Sequence, residues 1–345
     1  MIPIQNIYYM LSYAFQVLNE QGYKNIATEQ FHNTGELMAA ILEKGIAIQL
    51  KRGLGKEYIP QTEALSSLRG KIDIAESIKT QSMLRKQLIC TYDEFSVNSI
   101  MNRIIKSTVE LLLRSNISKQ RKKNLRKLMV YFSEVDFIDL YTVNWNVQYN
   151  RNNQTYRMLI SICYLVVKGL LQTQSNGHTK LMDFLDEQRM CRLYEKFILE
   201  YYRREFKNQI TANASQIPWQ LDNEENSLLP VMQSDIMLQS GEKVLIIDAK
   251  YYEHSTQVQF DKHTLHSGNL YQIFTYVKNK EYELREKDHT VSGMLLYAKT
   301  DEAIYPNNVY QMSGNQITVR TLDLNLPFDE IAGQLNTIAK THFDL

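Results

Sequence analysis

The chain has 345 residues, is 44% hydrophobic and 22% charged, and carries a net charge of +1. This is an ordinary soluble globular composition, and it excludes a partner held by a global basic field. The three cysteines, Cys90, Cys163 and Cys191, are odd in number and far apart. They read as reduced thiols of a cytoplasmic protein, not as a disulfide framework or a zinc site.

A chain this long exceeds the usual single core, so two domains are expected, 1–150 and 151–345. The opening "MIPIQNIYYMLSYAF" lacks a basic n-region and a small-residue cleavage site, so no signal peptide is expected. Ile7, Met10, Leu11, Ala14 and Leu18 suggest a helix over 4–20, and residues 35–50 another. Residues 58–74, broken by Pro60 and Gly70, read as strand and loop, and 87–97 as strand. Val97, Ile100, Met101, Ile104, Ile105, Leu112 and Leu113 form the apolar stripe of a strong helix. A basic helix follows at 118–132. The polar, Asn-rich stretch 144–155 marks the boundary.

The second half begins with helices at 156–171 and 186–206. The apolar run Met158–Val167 is far shorter than the roughly 20 residues of a membrane span, so no membrane association is expected. A weak strand near 209–213 precedes strands at 231–239 and 243–252. Then come a helix near 266–280, strands at 290–298 and 316–324, and a last helix over 328–341. This order predicts an α/β (α+β) fold: a mixed sheet with helices, behind a helical and mixed amino-terminal domain.

The chemistry sits in "DIMLQSGEKVLIIDAKYY", residues 235–252. Gly241-Glu242 between two apolar strands suits a two-residue type II′ turn. That turn pairs Ser240 with Lys243 and Leu238 with Leu245. Carried outward, the register sets Asp235 opposite Asp248, with Cβ atoms roughly 4.5–5.5 Å apart on one face. Lys250, two residues on, shares that face. Two carboxylates so close repel unless a cation lies between them or one pKa rises. Mg²⁺, or Mn²⁺ in its place, answers this with one or two carboxylate ligands, leaving positions for water and phosphate. A lysine beside it holds a phosphate or orients water as a point charge. Together they suffice for phosphodiester hydrolysis. Downstream, "NLYQIFTYVKN" puts Gln272 and Tyr276 on one helix face.

An acid, a hairpin, acid-x-Lys and then a helix resembles the PD-(D/E)xK nuclease core, and Gln272 and Tyr276 match its Gln-x-x-x-Tyr variant. The chain as a whole resembles the McrC family, nuclease subunits of modification-dependent restriction systems. "PVMQSDIML", "IIDAKYY" and "LYQIFTYV" carry the likeness in the second half. "PIQNIYYMLSYAF", "LRGKIDI" and "YDEFSVNSIMNRIIK" carry it in the first. Ser234 stands where the pattern has proline, and Asp248 where it often has Glu. The resemblance implies a restriction-endonuclease-like domain over 151–345, with Asp235 and Asp248 as metal ligands and Lys250 positioning water or phosphate. It implies that Gln272 and Tyr276 contact the DNA backbone or brace Lys250. It adds a helix acid as a further ligand, Glu195 first and Glu200 in reserve. It also implies a McrB-like AAA+ GTPase ring as partner, on which 1–150 docks and which it stimulates. The substrate would be double-stranded DNA.

No phosphate loop of the Walker type is present, so the chain should not hydrolyse nucleotides itself. The basic residues between Arg103 and Lys127 suit DNA phosphates, an acidic protein, or merely a solvated helix face. Two other functions stay open on sequence: a non-catalytic activator of an AAA+ NTPase, and a free-standing nuclease of DNA repair.

Overall fold

A computed structural model describes residues 2–19, 23, 26, 29, 31, 33–150, 153, 155–175, 187–222, 228–252, 257–259, 262–299 and 306–345. The side chains of 168–175, 187–189, 257–259, 262 and 263 lie outside the description. The first half contains α1 (Ile4–Ala14), α2 (Thr34–Arg52), β1 (Glu57–Leu65), β2 (Lys71–Asp73), α3 (Ile74–Lys79), β3 (Leu88–Ser96), α4 (Ile100–Arg114) and α5 (Lys119–Met129). The second contains α6 (Tyr156–Ser175), α7 (Glu187–Glu205), β4 (Thr211–Asn213), β5 (Gln216–Ile217), β6 (Met232–Gln233), β7 (Ile236–Ser240), β8 (Lys243–Lys250), β9 (Gln257–Gln259), β10 (Lys262–Thr264), α8 (Ser267–Glu283), β11 (Thr290–Ala298), β12 (Asn308–Met312), β13 (Asn315–Leu322) and α9 (Phe328–Phe343).

The packing divides the chain differently from the expected cut at 150. One compact unit is Thr28–Phe184; the other joins Met1–Ala27 to Leu185–Leu345. The reason lies in α1. Tyr13 packs against Phe197, Tyr201 and Phe328 and donates to Glu205 Oε1 at 2.9 Å. Asn6 Nδ2 donates to the carbonyls of Leu324 and Leu326, both at 2.8 Å. The first helix therefore completes the core of the carboxy-terminal unit. At the other end, α6 packs on α2 and α4 in the Thr28–Phe184 unit.

In the Thr28–Phe184 unit, side-chain caps start the helices. Asn33, Asp73, Ser99 and Ser118 each accept a backbone N–H of the first turn, satisfying a donor the helix leaves over. The Leu37–Leu42 run of α2 is almost wholly buried. Tyr156 ties α6 in: its hydroxyl donates to Asn102 Oδ1 at 2.8 Å and accepts from Gly55 N at 2.7 Å. Strand β1 runs unbroken through Pro60, paired to β3 from Glu57↔Ser96 to Leu65↔Leu88. The expected break is absent because β1 is an edge strand, where proline's missing N–H leaves no ladder bond unmade.

The basic stretch separates into two populations. Arg103 donates to the Phe137 carbonyl, and Lys106 to those of Phe132 and Val135. Arg114 pairs with Glu110. Arg121 turns inward between Glu29, Glu36 and Glu43, with N···O distances of 2.7, 3.5 and 2.8 Å. These four act within the unit; the other five lie on the outward face of α5.

The second unit is built on a six-stranded mixed sheet, order β12-β13-β11-β8-β7-β4. β8, β11 and β13 are parallel neighbours, and β7 turns back antiparallel onto β8. Val244, Ile246, Val291, Leu295, Tyr297, Ile317 and Val319 form one face of the core with Ile273, Tyr276 and Val277 of α8. The alternate residues Leu245, Ile247, Met294 and Leu296 are also buried, so the sheet is covered on both sides, as parallel strands require. α7 and α9 meet the sheet as well. Tyr202 of α7 donates to the Leu335 carbonyl of α9 at 3.0 Å. Strand β12 was not expected from sequence, and the strand expected at 231–239 is split at Ser234.

Candidate active site

Asp235, Asp248 and Lys250 come together at the open end of the β7–β8 hairpin. At the turn, Gly241 has φ +57°, a left-handed value that costs glycine nothing sterically. The ladder runs from Ser240↔Lys243 through Leu238↔Leu245 to Ile236↔Ile247, the expected register. One residue beyond, pairing stops, and Asp235 Oδ2 accepts the backbone N–H of Ala249 at 3.0 Å. The first acid is thus anchored on the amide that follows the second.

Ser234 explains why the strand breaks there. It is 1% exposed. Its N–H donates to the Ser215 carbonyl at 3.0 Å, and its hydroxyl accepts from the Ser215 N–H at 3.3 Å. These bonds divert the chain from β6 and present Asp235 at the start of β7.

Asp248 is 1% exposed. Its Oδ1 accepts from Lys250 Nζ at 2.9 Å. Its Oδ2 lies 2.9 Å from the same nitrogen but has no hydrogen bond of acceptable geometry. Burial pushes the carboxyl up to about 7; Lys250 opposes the rise, and nearby Asp235 adds to it. Burial works against the Lys250 ammonium, yet Asp248 outweighs it and raises the lysine pKa. A buried carboxylate with one oxygen free of hydrogen bonds, beside a second carboxylate, is the donor set a divalent cation fits. Among the described residues no group of three or more His, Cys, Asp or Glu forms a metal cage, and Mg²⁺ does not ask for one.

Two helices complete the site. On α7, Cys191 Sγ donates to Glu195 Oε1 at 3.0 Å. Burial raises the Glu195 pKa and the charge of Asp235 adds to the rise, with Lys250 among the opposing groups. Glu195 therefore lies within electrostatic reach of Asp235 and Lys250. Glu200 is instead ion-paired with Arg203 Nη1 at 2.7 Å. On α8, Gln272 Oε1 accepts a long 3.5 Å bond from Lys250 Nζ, and Gln272 Nε2 donates to the Tyr276 hydroxyl at 2.9 Å. Tyr276 is 8% exposed, within the sheet core. Its geometry suits bracing Gln272 and Lys250 rather than touching DNA.

The family described as "McrBC 5-methylcytosine restriction system component" matches residues 5–298. The chain is 30% identical over 329 residues to the type IV methyl-directed restriction enzyme EcoKMcrBC of Escherichia coli (strain K12), covering 94% of this chain and 93% of that protein. The chain belongs to the McrBC family. Its resemblance to McrC is thereby upheld. Among solved structures it is similar to a half-complex of Thermococcus gammatolerans McrB AAA+ hexamers with bound McrC: 18% identity, 97% of this chain, 76% of that one, TM-score 0.47. It is also similar to a cryo-EM structure of the McrBC complex from the same organism: 21% identity, 59% of each chain, TM-score 0.41. Among the described residues no helix is long and apolar enough to cross a membrane.

This McrBC-family site also uses residues that the sequence reading passed over. Asn269 Nδ2 donates to the Tyr297 hydroxyl at 2.9 Å, and the Tyr252 hydroxyl donates to Asn269 Oδ1 at 3.3 Å. Tyr297 is the β11 neighbour of Lys250, so this trio walls the lysine. Asn269 stands one helical turn before Gln272, and Cys191 one turn before Glu195. That spacing was the available signal.

Proposed function

We propose that this McrBC-family chain is the nuclease subunit of its restriction system, a Mg²⁺- or Mn²⁺-dependent endonuclease that cuts phosphodiester bonds in double-stranded DNA. The observation that carries the reading is the buried Asp248 carboxylate, both oxygens 2.9 Å from Lys250 Nζ but only Oδ1 hydrogen-bonded to it, beside Asp235. Asp235 and Asp248 would hold the cation, with Glu195 reaching it directly or through water. When bound, a divalent cation lowers the pKa of water and neutralises charge on the phosphate undergoing attack.

The rest is done by the chain. The Ala249 amide fixes Asp235. Lys250 keeps its proton and offers a point charge to the attacking water or the scissile phosphate. Asp248 and Gln272 hold its Nζ, and Tyr276 holds the Gln272 amide. Cys191 sets the rotamer of Glu195. This is positioning of charge ahead of the reaction, where it acts without reorganisation cost.

The reading includes a McrB-like AAA+ GTPase ring as partner, docked and stimulated by the Thr28–Phe184 unit and not by the whole of 1–150. What supports an assembly role is exposed apolar surface on that unit: Tyr58, Ile74, Ile78, Leu84 and Phe95 are all more than half exposed. Tyr58 and Phe95 pack as one exposed aromatic pair, ring centroids 5.0 Å apart, and contiguous exposed apolar surface marks interaction sites. The experiment is cleavage of methylated plasmid by Asp248→Asn with the cognate AAA+ protein and Mg²⁺. Cutting should be abolished while ring binding, read by co-elution, persists. Wild-type cutting by the variant would overturn the assignment.

A further inference from the structure

The outward face of α5 is a concentration of charge that the proposed nuclease site does not use. Lys119, Lys123, Arg126 and Lys127 are exposed and Lys122 is half-buried. None of these five side chains makes a hydrogen bond or ion pair among the described residues. Arg121, Asn124 and Leu125, away from these cations, anchor the helix: Arg121 and Asn124 both bind Glu43, and Leu125 is buried. A chain with net charge +1 thus gathers five cations along one side of a single helix.

That arrangement opposes helix stability. No acid stands in the first turn of α5, while Lys119 and Lys122 put positive charge at the end where the helix dipole is already positive. The pairs 119/122, 119/123, 122/126, 123/126 and 123/127 are like charges three or four residues apart, and each repels. An anionic partner relieves every one of these repulsions.

Two facts favour a polyanion over an acidic protein. Protein interfaces have apolar centres and are depleted in lysine, whereas four of the five residues are Lys and no apolar side chain lies among them. The exposed Val130 and Tyr131 follow the helix instead of interrupting the run. The cations also span about 12 Å at 1.5 Å per residue, about 3 Å per charge along the helix, close to the roughly 3.4 Å between phosphates along one strand of duplex DNA.

We propose that the outward face of α5 docks the phosphate backbone of double-stranded DNA, holding substrate through sequence-independent contacts. The proposal rests on the nuclease reading for its choice of DNA. It is tested on the full chain in EDTA, where no cutting occurs, by anisotropy of a fluorescein-labelled duplex of about 30 base pairs at roughly 50–200 mM salt. The variant is Lys122→Gln/Lys123→Gln/Arg126→Gln; glutamine keeps the helix.

Each lost contact makes the slope of log K against log salt less negative by about 0.9, so three should change it by about 2.7. At 0.1 M salt that is about 8-fold per contact, or about 500-fold in all. The control Lys122→Arg/Lys123→Arg should bind like the wild type. An unchanged slope and affinity in the Gln variant overturns the proposal. So does intact DNA binding with loss only of binding to poly-glutamate or to the AAA+ protein, the result an acidic protein partner predicts. The nuclease reading fails separately, on cutting by Asp248→Asn, whose binding in EDTA this face leaves unaltered.

Discussion

Asp248→Asn keeps the side chain's shape and removes the charge on which the proposed metal site depends. Its effect on stability can be worked from the structure. Burial holds the Asp248 carboxyl at about 7 in the metal-free fold, against 3.8 for an ordinary aspartate. Below about pH 4 the group is protonated folded and unfolded, and contributes nothing. Between pH 4 and 7 the fold must hold the proton that the unfolded chain releases, so stability falls as pH rises. Above 7 the full penalty applies, on the order of 4 kcal/mol at about 1.4 kcal/mol per pH unit. Asparagine removes that penalty. It also takes the carboxylate partner from Lys250, whose side chain is 13% exposed, and breaking one half of a buried pair costs about 3–5 kcal/mol. These terms nearly cancel, so the stability of the metal-free variant at pH 8 is not diagnostic.

The metal increment is. A cation at a hundredfold excess over its Kd stabilises by about 2.7 kcal/mol, or about 5–10 °C in Tm for a unit of this size. Scanning calorimetry with and without Mg²⁺ should show that rise in the wild type and none in Asp248→Asn. The variant should also lose the decline in metal-free stability between pH 4 and 7. A full Mg²⁺ shift in Asp248→Asn would refute the reasoning, because the cation would then be held elsewhere.

Lys250→Ala should lose most cutting yet still bind Mg²⁺ by calorimetry; loss of binding would make the lysine a prop for the ligands and not a phosphate- or water-positioning group. Gly293→Ala should cost about 1–3 kcal/mol by overpacking, since the new Cβ would lie 2.8 Å from Ile273 Cγ1 and from Ile317 Cδ1; it should also weaken cutting by lifting α8 and Gln272, and a neutral urea midpoint would count against the close seat of α8. Lys123→Gln, which ends three like-charge pairs, should stabilise the Thr28–Phe184 unit by roughly 0.6–1.5 kcal/mol at low salt, a gain that fades near 1 M salt, where the Debye length is about 3 Å.

The hairpin was legible because its information is local. Gly241 fixes the turn, the turn fixes the register, and the register brings Asp235 to Asp248 without long-range knowledge. Helix α4 was legible from its apolar stripe, and β11 was placed at its observed bounds, Thr290–Ala298. Pro60 misled because a residue's own preference does not say whether its strand is an edge. The basic stretch was ambiguous for a similar reason. Arg121 and Lys122 are adjacent and chemically alike, and only the packing of α5 turns one onto three glutamates and the other outward.

The first helix shows where local reading ends. Nothing within "IQNIYYMLSYA" says that it belongs to the far end of the chain. Its apolar stripe requires a partner but does not name one. The partner is set by Asn6, bound to carbonyls 318 and 320 residues away, and by Tyr13, seated among Phe197, Tyr201 and Phe328. The same helix α7 carries Phe197 and Tyr201 toward α1, and Cys191 and Glu195 toward the acids. Seating α1 therefore fixes the helix that presents Glu195. A cut at residue 150 would separate α1 from α7, expose the aromatic cluster, and loosen the active site from behind.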